Sequence, residues 1–359
     1  MFCDLGNTRP SIFRRFFCWY KKGYKMNKID LVYLWVDSND PQWIQEKQKW
    51  LEFTCTKTNL SHSATSNARW RDNDELKYSL RSVAECVPWI NHIFIITGFN
   101  QIPKWLNVNH PKITIVPHKD IMPLHALPTF NSTNIEMCIG NIKALGEYFI
   151  LANDDTFFNR ELNPDFFFDR RGRAKFRYNK RRGNYKNIER YIVRKNDYQQ
   201  CIFVSQRKIY DVFGKKLYKY MPSHGIDPYR KSTWNRCRKH PLITGCIDAQ
   251  LSNRFRQNNE IQRTIFSLFD KIFGKAVFIR ARNKKRTKNR LINFLYNTIY
   301  WHSIKNSPVY CTDAILSNLQ NQKPPIFCIN DSINSTEENR LNNYSFLNSR
   351  FPKKCEFEK

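Results

Sequence analysis

Apolar residues in this chain fall in short dense runs, and the stretches between them carry a helical period. Ile29-Asp30-Leu31-Val32-Tyr33-Leu34-Trp35-Val36, His92-Ile93-Phe94-Ile95-Ile96-Thr97, Lys112-Ile113-Thr114-Ile115-Val116-Pro117-His118 and Phe149-Ile150-Leu151-Ala152 are rich in β-branched and aromatic side chains. Runs this short, bounded by turn residues, predict buried strands. Residues 42–58 look helical and polar, and Leu76, Leu80 and Val83 mark the apolar stripe of a second helix that Pro88-Trp89 ends. Asp72 to Glu75 supply its caps and acidic first turn. The cap-rich stretch Pro128 to Glu136 leads into a third helix expected from Ile135 to Leu145. The order is βα-βα-β(loop)-αβ. Strands alternating with helices predict an α/β fold around a mostly parallel sheet.

Reactive side chains gather where the runs end. The strand 149–152 delivers Asn153, Asp154 and Asp155, with Phe157 and Phe158 just beyond. Adjacent carboxylates repel, and a cation relieves the repulsion. Open α/β sheets bind ligands at their strand ends, where a divalent metal carrying a substrate phosphate suits such a pair. The plainer alternative is a helix N-cap with acidic first-turn residues. Asp37, in Asp37-Ser38-Asn39-Asp40-Pro41, either opens a nucleotide-sugar site or closes an ordinary Asx-turn. Arg69 and Arg71 either make a salt-bridged approach to the second helix or line the mouth of a phosphate site. His118 and His125 sit in loops, where histidines are not usually ligands.

The 359 residues allow one large domain or two ordinary ones. With 41% hydrophobic and 15% aromatic residues, a disordered chain is excluded. The net charge of +29 calls for an anionic partner: nucleic acid, a membrane surface, or a phosphorylated substrate or product. Eleven scattered cysteines without a CxxC pair suit reduced, buried thiols better than a disulfide frame or a zinc site. No run approaches a membrane span. Residues 1–26 form a basic, aromatic extension without the pattern of a signal peptide, able to lie on an anionic membrane. A cytoplasmic protein, or one peripheral at the inner face of the plasma membrane, is expected.

VYLWVDSNDPQW, RWRDNDELKYSLRSV, PWINHIFIITGFNQIPKWL, ITIVPHKDIMP, LPTFNSTNIE and YFILANDDTFF, in that order, resemble the first two blocks of the Stealth family. Met221 to Ser232 resembles the third block, Asn253-Arg254-Phe255-Arg256 a later arginine motif, and Ile326 to Ser332 the short C-terminal block. Residues 235–250 depart from the family pattern. The family includes bacterial capsular polysaccharide phosphotransferases and the catalytic portion of animal N-acetylglucosamine-1-phosphotransferase. The resemblance implies a fold like that of nucleotide-sugar transferases. It also implies transfer of a sugar 1-phosphate from a nucleotide diphosphate sugar to a glycan hydroxyl, with a nucleoside monophosphate leaving.

The same resemblance implies the roles. Asp154 and Asp155 would hold Mg²⁺ or Mn²⁺. Asp37 would lie near the nucleotide or metal, and Glu136 would orient the sugar or a metal-bound water. Arg256, with Arg254 beside it, would neutralise the leaving phosphate. His224 would be the general base. Arg71, Asp74, Asn153, Asn330 and Asp331 would contact substrate. The catalytic domain is expected over 27–335, with a more helical, basic insertion at about 170–320, and a polar, peripheral tail over 336–359. Lys175 to Lys186 and Arg280 to Arg286 interleave or cluster cations that would grip an anionic product, a membrane or solvent. The rival readings are a metal-dependent glycosyltransferase releasing a nucleoside diphosphate, and a nucleic-acid-binding protein.

Overall fold

The computed structural model describes residues 28–56, 60, 62–180, 197–223, 225–280, 304–307, 324–329, 331 and 335–359. The 1–26 extension and residues 281–286 of the second basic cluster lie outside them, as do residues 181–186 of the first. The strands are β1 (Ile29–Leu34), β2 (Ile93–Thr97), β3 (Ile113–Pro117), β4 (Tyr148–Asn153), β5 (Thr156–Phe158), β6 (Ala174–Lys180), β7 (Tyr220–Pro222), β8 (Asp227–Arg230), β9 (Ala276–Arg280), β10 (Ile304–Ser307) and β11 (Ile326–Ile329). The longer helices are α1 (Pro41–Cys55), α2 (Glu75–Cys86), α3 (Ser132–Cys138), α4 (Asp197–Phe213), α5 (Lys231–Arg238), α6 (Pro241–Gln250), α7 (Thr264–Ile272) and α8 (Glu337–Arg350).

The four apolar runs pair as the central sheet, in the order β3-β2-β1-β4, all parallel, with β8 antiparallel at the β4 edge. The fold is α/β with a mostly parallel sheet. β1, β2 and β4 are buried almost throughout, as strands covered on both faces must be. Asp30 is the buried charge on β1. It accepts from Asn91 Nδ2 and the Gly146 backbone N–H, both at 2.7 Å, so it joins two loops at the amino end of the sheet. β2 and β4 flank β1 on opposite sides. Connections therefore leave β1 and β4 in different directions, and a crevice opens at their carboxyl ends. The register Leu34↔Asn153 sets the residues after β1 beside Asp154 and Asp155.

The segment expected as a helical insertion holds α4 to α7, and it also builds the sheet β7-β6-β9. It lends β8 to the central sheet, with Asp227 opposite Leu151. Phe149 of β4 stacks on Tyr229 of β8 and meets Trp234 of α5, so one core runs through both parts. Among the described residues every cysteine is a free thiol, and no helix is long and apolar enough to cross a membrane.

Two expectations need correction. The helix expected over 135–145 begins at Ser132, where Asn131 Oδ1 caps it by accepting from the Thr133 backbone N–H at 3.1 Å. It ends at Cys138, and a 3₁₀ turn follows over Ile139–Asn141. At Gly140 the chain passes so close to α5 that a Cβ would meet Asn235 Oδ1 at 2.0 Å. Ile139, Ile142 and Leu145 reach the core through turns rather than along a helix face.

The tail is not peripheral. α8 opens with a capping box, Thr336 with Asn339, and buries Phe346 and Leu347 with Phe351, Phe157, Phe327, Ile329 and Tyr78. Arg81 holds Glu358 through two bonds of 2.8 and 2.9 Å and also donates to the Phe351 carbonyl at 2.9 Å. Few apolar residues mark this segment, but each fills a gap against β5 and β11. Phe351→Ala is expected to lower the unfolding free energy by about 3–5 kcal/mol in urea. A change within about 0.5 kcal/mol, as at an ordinary surface position, would restore the peripheral tail.

Candidate active site

β4 ends at Asn153, and the chain reverses at once. Thr156 Oγ1 donates to the Asn153 carbonyl at 2.6 Å, and the Asp155 backbone N–H donates to Asp154 Oδ1 at 3.1 Å. β5 then pairs with β11, whose Ile329 N–H donates to the Asp155 carbonyl at 3.0 Å. The turn is thereby fixed from two sheets, and it presents Asp154 and Asp155 to a cavity of about 350 Å³.

Asp72, Glu75, Asp154 and Asp155 crowd this end of the sheet. Burial, then Asp155 and then Asp72 push Asp154 well above the carboxylate range. Asp155 rises to about 7, from burial and from Glu75. Burial and Asp154 lift Glu75 to about 8, and burial lifts Asp72 to about 6. Asp72 is occupied by Trp35 Nε1 and the Asp74 N–H, each at 3.0 Å. Glu75 accepts from the backbone N–H and side-chain amide of Asn73 at 2.6 and 2.7 Å. Among the described residues none of the four is ion-paired with a Lys or Arg. Asp155 Oδ1 is buried with no hydrogen-bond partner. An orphaned carboxylate oxygen amid like charges is a donor set that a hard divalent cation fits.

The opposite wall is cationic. Arg263, just before α7, donates to Glu136 Oε1 at 3.1 Å and Asn153 Oδ1 at 3.2 Å. It clasps α3 to the end of β4. Burial raises Glu136, and Arg263 and Arg256 hold that rise back. Arg256 is pinned by hydroxyls: Nε donates to Thr133 Oγ1 at 3.1 Å and Nη2 to Ser132 Oγ at 2.8 Å. It makes no salt bridge among the described residues. Burial, with Arg256 nearby, pushes Arg69 down to about 9. Crowded guanidiniums of this kind bind anions.

Of the residues singled out in the sequence, Asn153, Asp154, Asp155, Glu136, Arg256 and Asp331 line this one cavity. Arg71 reaches it through Asp331, at 2.6 Å. Asp37 stands just outside. Its Oδ1 accepts from the Asn39 N–H in an Asx-turn, and the Gln101 side chain holds its backbone at both groups. Two expectations are not met. Asp74 takes a left-handed conformation, φ 63°, and its carboxylate faces Lys77 at 3.8 Å outside the cavity. Arg254 lies over the Trp50 ring and donates to the His125 carbonyl at 2.9 Å. Phe255 is buried between the two arginines at a bend in the chain, so they do not share a face as alternate residues of a strand would. His224 and Asn330 lie outside the described residues. β8 begins at Asp227, which pairs antiparallel with Leu151 near the carboxyl end of β4.

The sequence reading missed Arg263 and set His118 aside as a loop histidine. Arg263 has no motif around it, and only the need of Glu136 for a partner points to a cation. His118 lines the cavity, and burial pushes its imidazole down to about 4, so it is neutral. The ring packs against Gly98, where a Cβ would sit 3.1 Å from it. A glycine directly after β2 was the available signal.

Residues 27–52 match the family model described as Stealth protein CR1, conserved region 1, and residues 69–176 match Stealth protein CR2, conserved region 2. A capsular polysaccharide phosphotransferase, WcwK, of Streptococcus pneumoniae is 31% identical over 93% of this chain and 99% of its own. The capsular polysaccharide phosphotransferase LcbA of Neisseria meningitidis is 31% identical over 85% of this chain and 77% of its own. Among solved structures, the galactosyltransferase LgtC with donor and acceptor sugar analogues overlaps 89% of this chain and 95% of its own, with a TM-score of 0.42 and 10% identity.

The carboxylate crowding sets a pH dependence. The folded Asp155 titrates near 7, above its value in the unfolded chain, so its contribution is present at low pH and is lost as pH rises through about 7. In EDTA, the melting temperature should fall between pH 5 and 8. Asp155→Asn should melt above the wild type at pH 8, with the gap closing toward pH 5. A variant less stable at pH 8, with an unaltered pH slope, would show that the pair is not repelled.

Proposed function

The chain belongs to the Stealth family, and from that premise we propose that it is a capsular or exopolysaccharide phosphotransferase acting through the cavity at the end of β4. It transfers a sugar 1-phosphate from a nucleotide diphosphate sugar to a glycan hydroxyl. The acceptor oxygen forms a bond to the sugar-linked phosphorus, and the bond from that phosphorus to the oxygen of the nucleoside monophosphate breaks. The hydroxyl proton passes to a base. The product is a phosphodiester.

The observation that carries this reading is the pairing of two walls: carboxylates with an orphaned oxygen, facing Arg256, which is held by two hydroxyls and makes no salt bridge among the described residues. A diphosphate presents charge to both. Asp154 and Asp155 would hold Mg²⁺ or Mn²⁺, which supplies charge neutralisation and alignment of the phosphates. Arg256, with Arg69 near it, takes charge on the departing phosphate. Arg263 keeps Glu136 and Asn153 in place beneath the sugar. His224 is the candidate base, because an imidazole titrates where a hydroxyl proton must be taken. A footing on an anionic membrane is part of the same proposal and rests on the cation excess.

Incubation with a panel of nucleotide sugars, Mg²⁺ and a glycan primer, followed by phosphorus NMR, tests the reaction. A phosphodiester and a nucleoside monophosphate are expected. A nucleoside diphosphate with no phosphodiester would make the protein a glycosyltransferase. Asp154→Asn and Asp155→Asn should each abolish transfer while remaining folded.

His224→Ala should slow turnover by about 10²–10⁴-fold with little change in donor KM. The wild-type rate should rise through a pKa of about 6–7, and that limb should vanish in the variant. A raised donor KM, with a wild-type rate that falls over the same range, would instead make His224 a cation on the donor phosphate.

A further inference from the structure

A second cleft lies beyond the loop that carries Arg256. It opens between α4, α6 and residues 253–261, and its volume is about 520 Å³. That is within the ~300–1,000 Å³ range of small-ligand sites. The two hollows share no lining residue, yet they draw on the same stretches of chain. Cys201, Arg256 and Gln262 face the carboxylate cavity, whereas Phe203, Gln257 and Ile261 face the cleft.

Some of the lining serves to hold the cleft open. Gln250 Nε2 donates to the Ile261 carbonyl at 2.8 Å and to Asn134 Oδ1 at 3.2 Å, and its Oε1 accepts from the Ile261 N–H at 2.8 Å. Glu260 is buried and accepts from Asn131 Nδ2 at 2.9 Å and Asn253 Nδ2 at 3.1 Å. Asp211 is paired with Arg207 at 2.8 Å. Glu260 is therefore closed to a ligand, whereas Asp211 stays exposed beside its arginine. The side chains of Gln257, Asn259 and Lys208 have no hydrogen-bond or ion-pair partner among the described residues. Phe203 and Tyr218 give an apolar floor.

Amides that donate and accept at once match the vicinal hydroxyls of a sugar, and an apolar floor matches its C–H face. The single uncommitted lysine suits one phosphodiester. We propose that this cleft anchors the growing glycan, holding a finished repeat away from the reacting end. The inference rests on the phosphotransferase reading. Because the cleft is separate from the cavity, its occupant is not the reacting hydroxyl but another part of the same chain. Occupancy would raise the effective concentration of the acceptor end.

The test uses primers from partial hydrolysis of the producing strain's own polysaccharide, sized to single repeats and to long fragments. With the wild type, kcat/KM for long primers should exceed that for single repeats by about 10²-fold or more. Ala249→Trp, which puts a ring into the cleft from the exposed side of α6, should remove most of that advantage through KM. Single-repeat turnover should not change. Asn259→Ala should act in the same direction by a smaller factor. No length preference in the wild type, or the same preference in Ala249→Trp, would overturn the proposal. Calorimetric titration with long fragments and no donor separates the two readings. If no primer accepts phosphate but binding weakens in Ala249→Trp, the reaction is wrong and the cleft stands. Equal binding by wild type and variant overturns the cleft.

Discussion

Asp154 and Asp155 stand side by side, half-buried at the wall of the cavity, and the structure is arranged around that repulsion. A buried strand delivers them, a reversed strand withdraws the chain, and β11 fastens the turn from behind. Asp72 and Glu75 add to the field, each held by neutral donors from Trp35 or Asn73. The crowding opposes folding, and burial of the surrounding apolar strands offsets it. A cation bound between them would relieve the repulsion, so the proposed metal would stabilise the fold as well as serve the reaction.

The acids and the two later arginines of the cavity come from different halves of the chain, with Arg69 joining the arginines from the early half. The acids lie at the ends of early strands and at the start of α2. Arg256 and Arg263 come from the segment between α6 and α7. Arg263 spans the halves by bonding Glu136 and Asn153 together. These bonds tie the two parts together beside the cavity, so the residue is a positioning group as much as a charge.

The central sheet was legible in the sequence because strands buried on both faces leave unbroken apolar runs. The acidic pair was legible because two carboxylates at the end of such a run are conspicuous. Facing was not legible. Arg254 and Arg256 lie two apart in one motif, yet one packs on Trp50 and the other enters the cavity. Asp74 belongs to an acidic run whose neighbours Asp72 and Glu75 join the carboxylate group, and it turns away at a left-handed residue. The helix at 135–145 failed because apolar spacing registers burial whether a helix or a turn supplies it. Arg263 and the C-terminal packing escaped because their partners lie more than a hundred residues away in sequence.

β8 has a consequence for how such chains diverge. The edge of the central sheet is four residues long and is supplied from the middle of the later segment, antiparallel to β4. That segment is therefore sewn into the catalytic sheet rather than appended to it. Recombination that exchanged it whole between relatives would also exchange a strand of the sheet that bears the acids. Every new Asp227–Arg230 must then fit an old Tyr148–Leu151. Variation in what the enzyme holds is thus easier to gain by point change within the later segment than by trading it as a cassette.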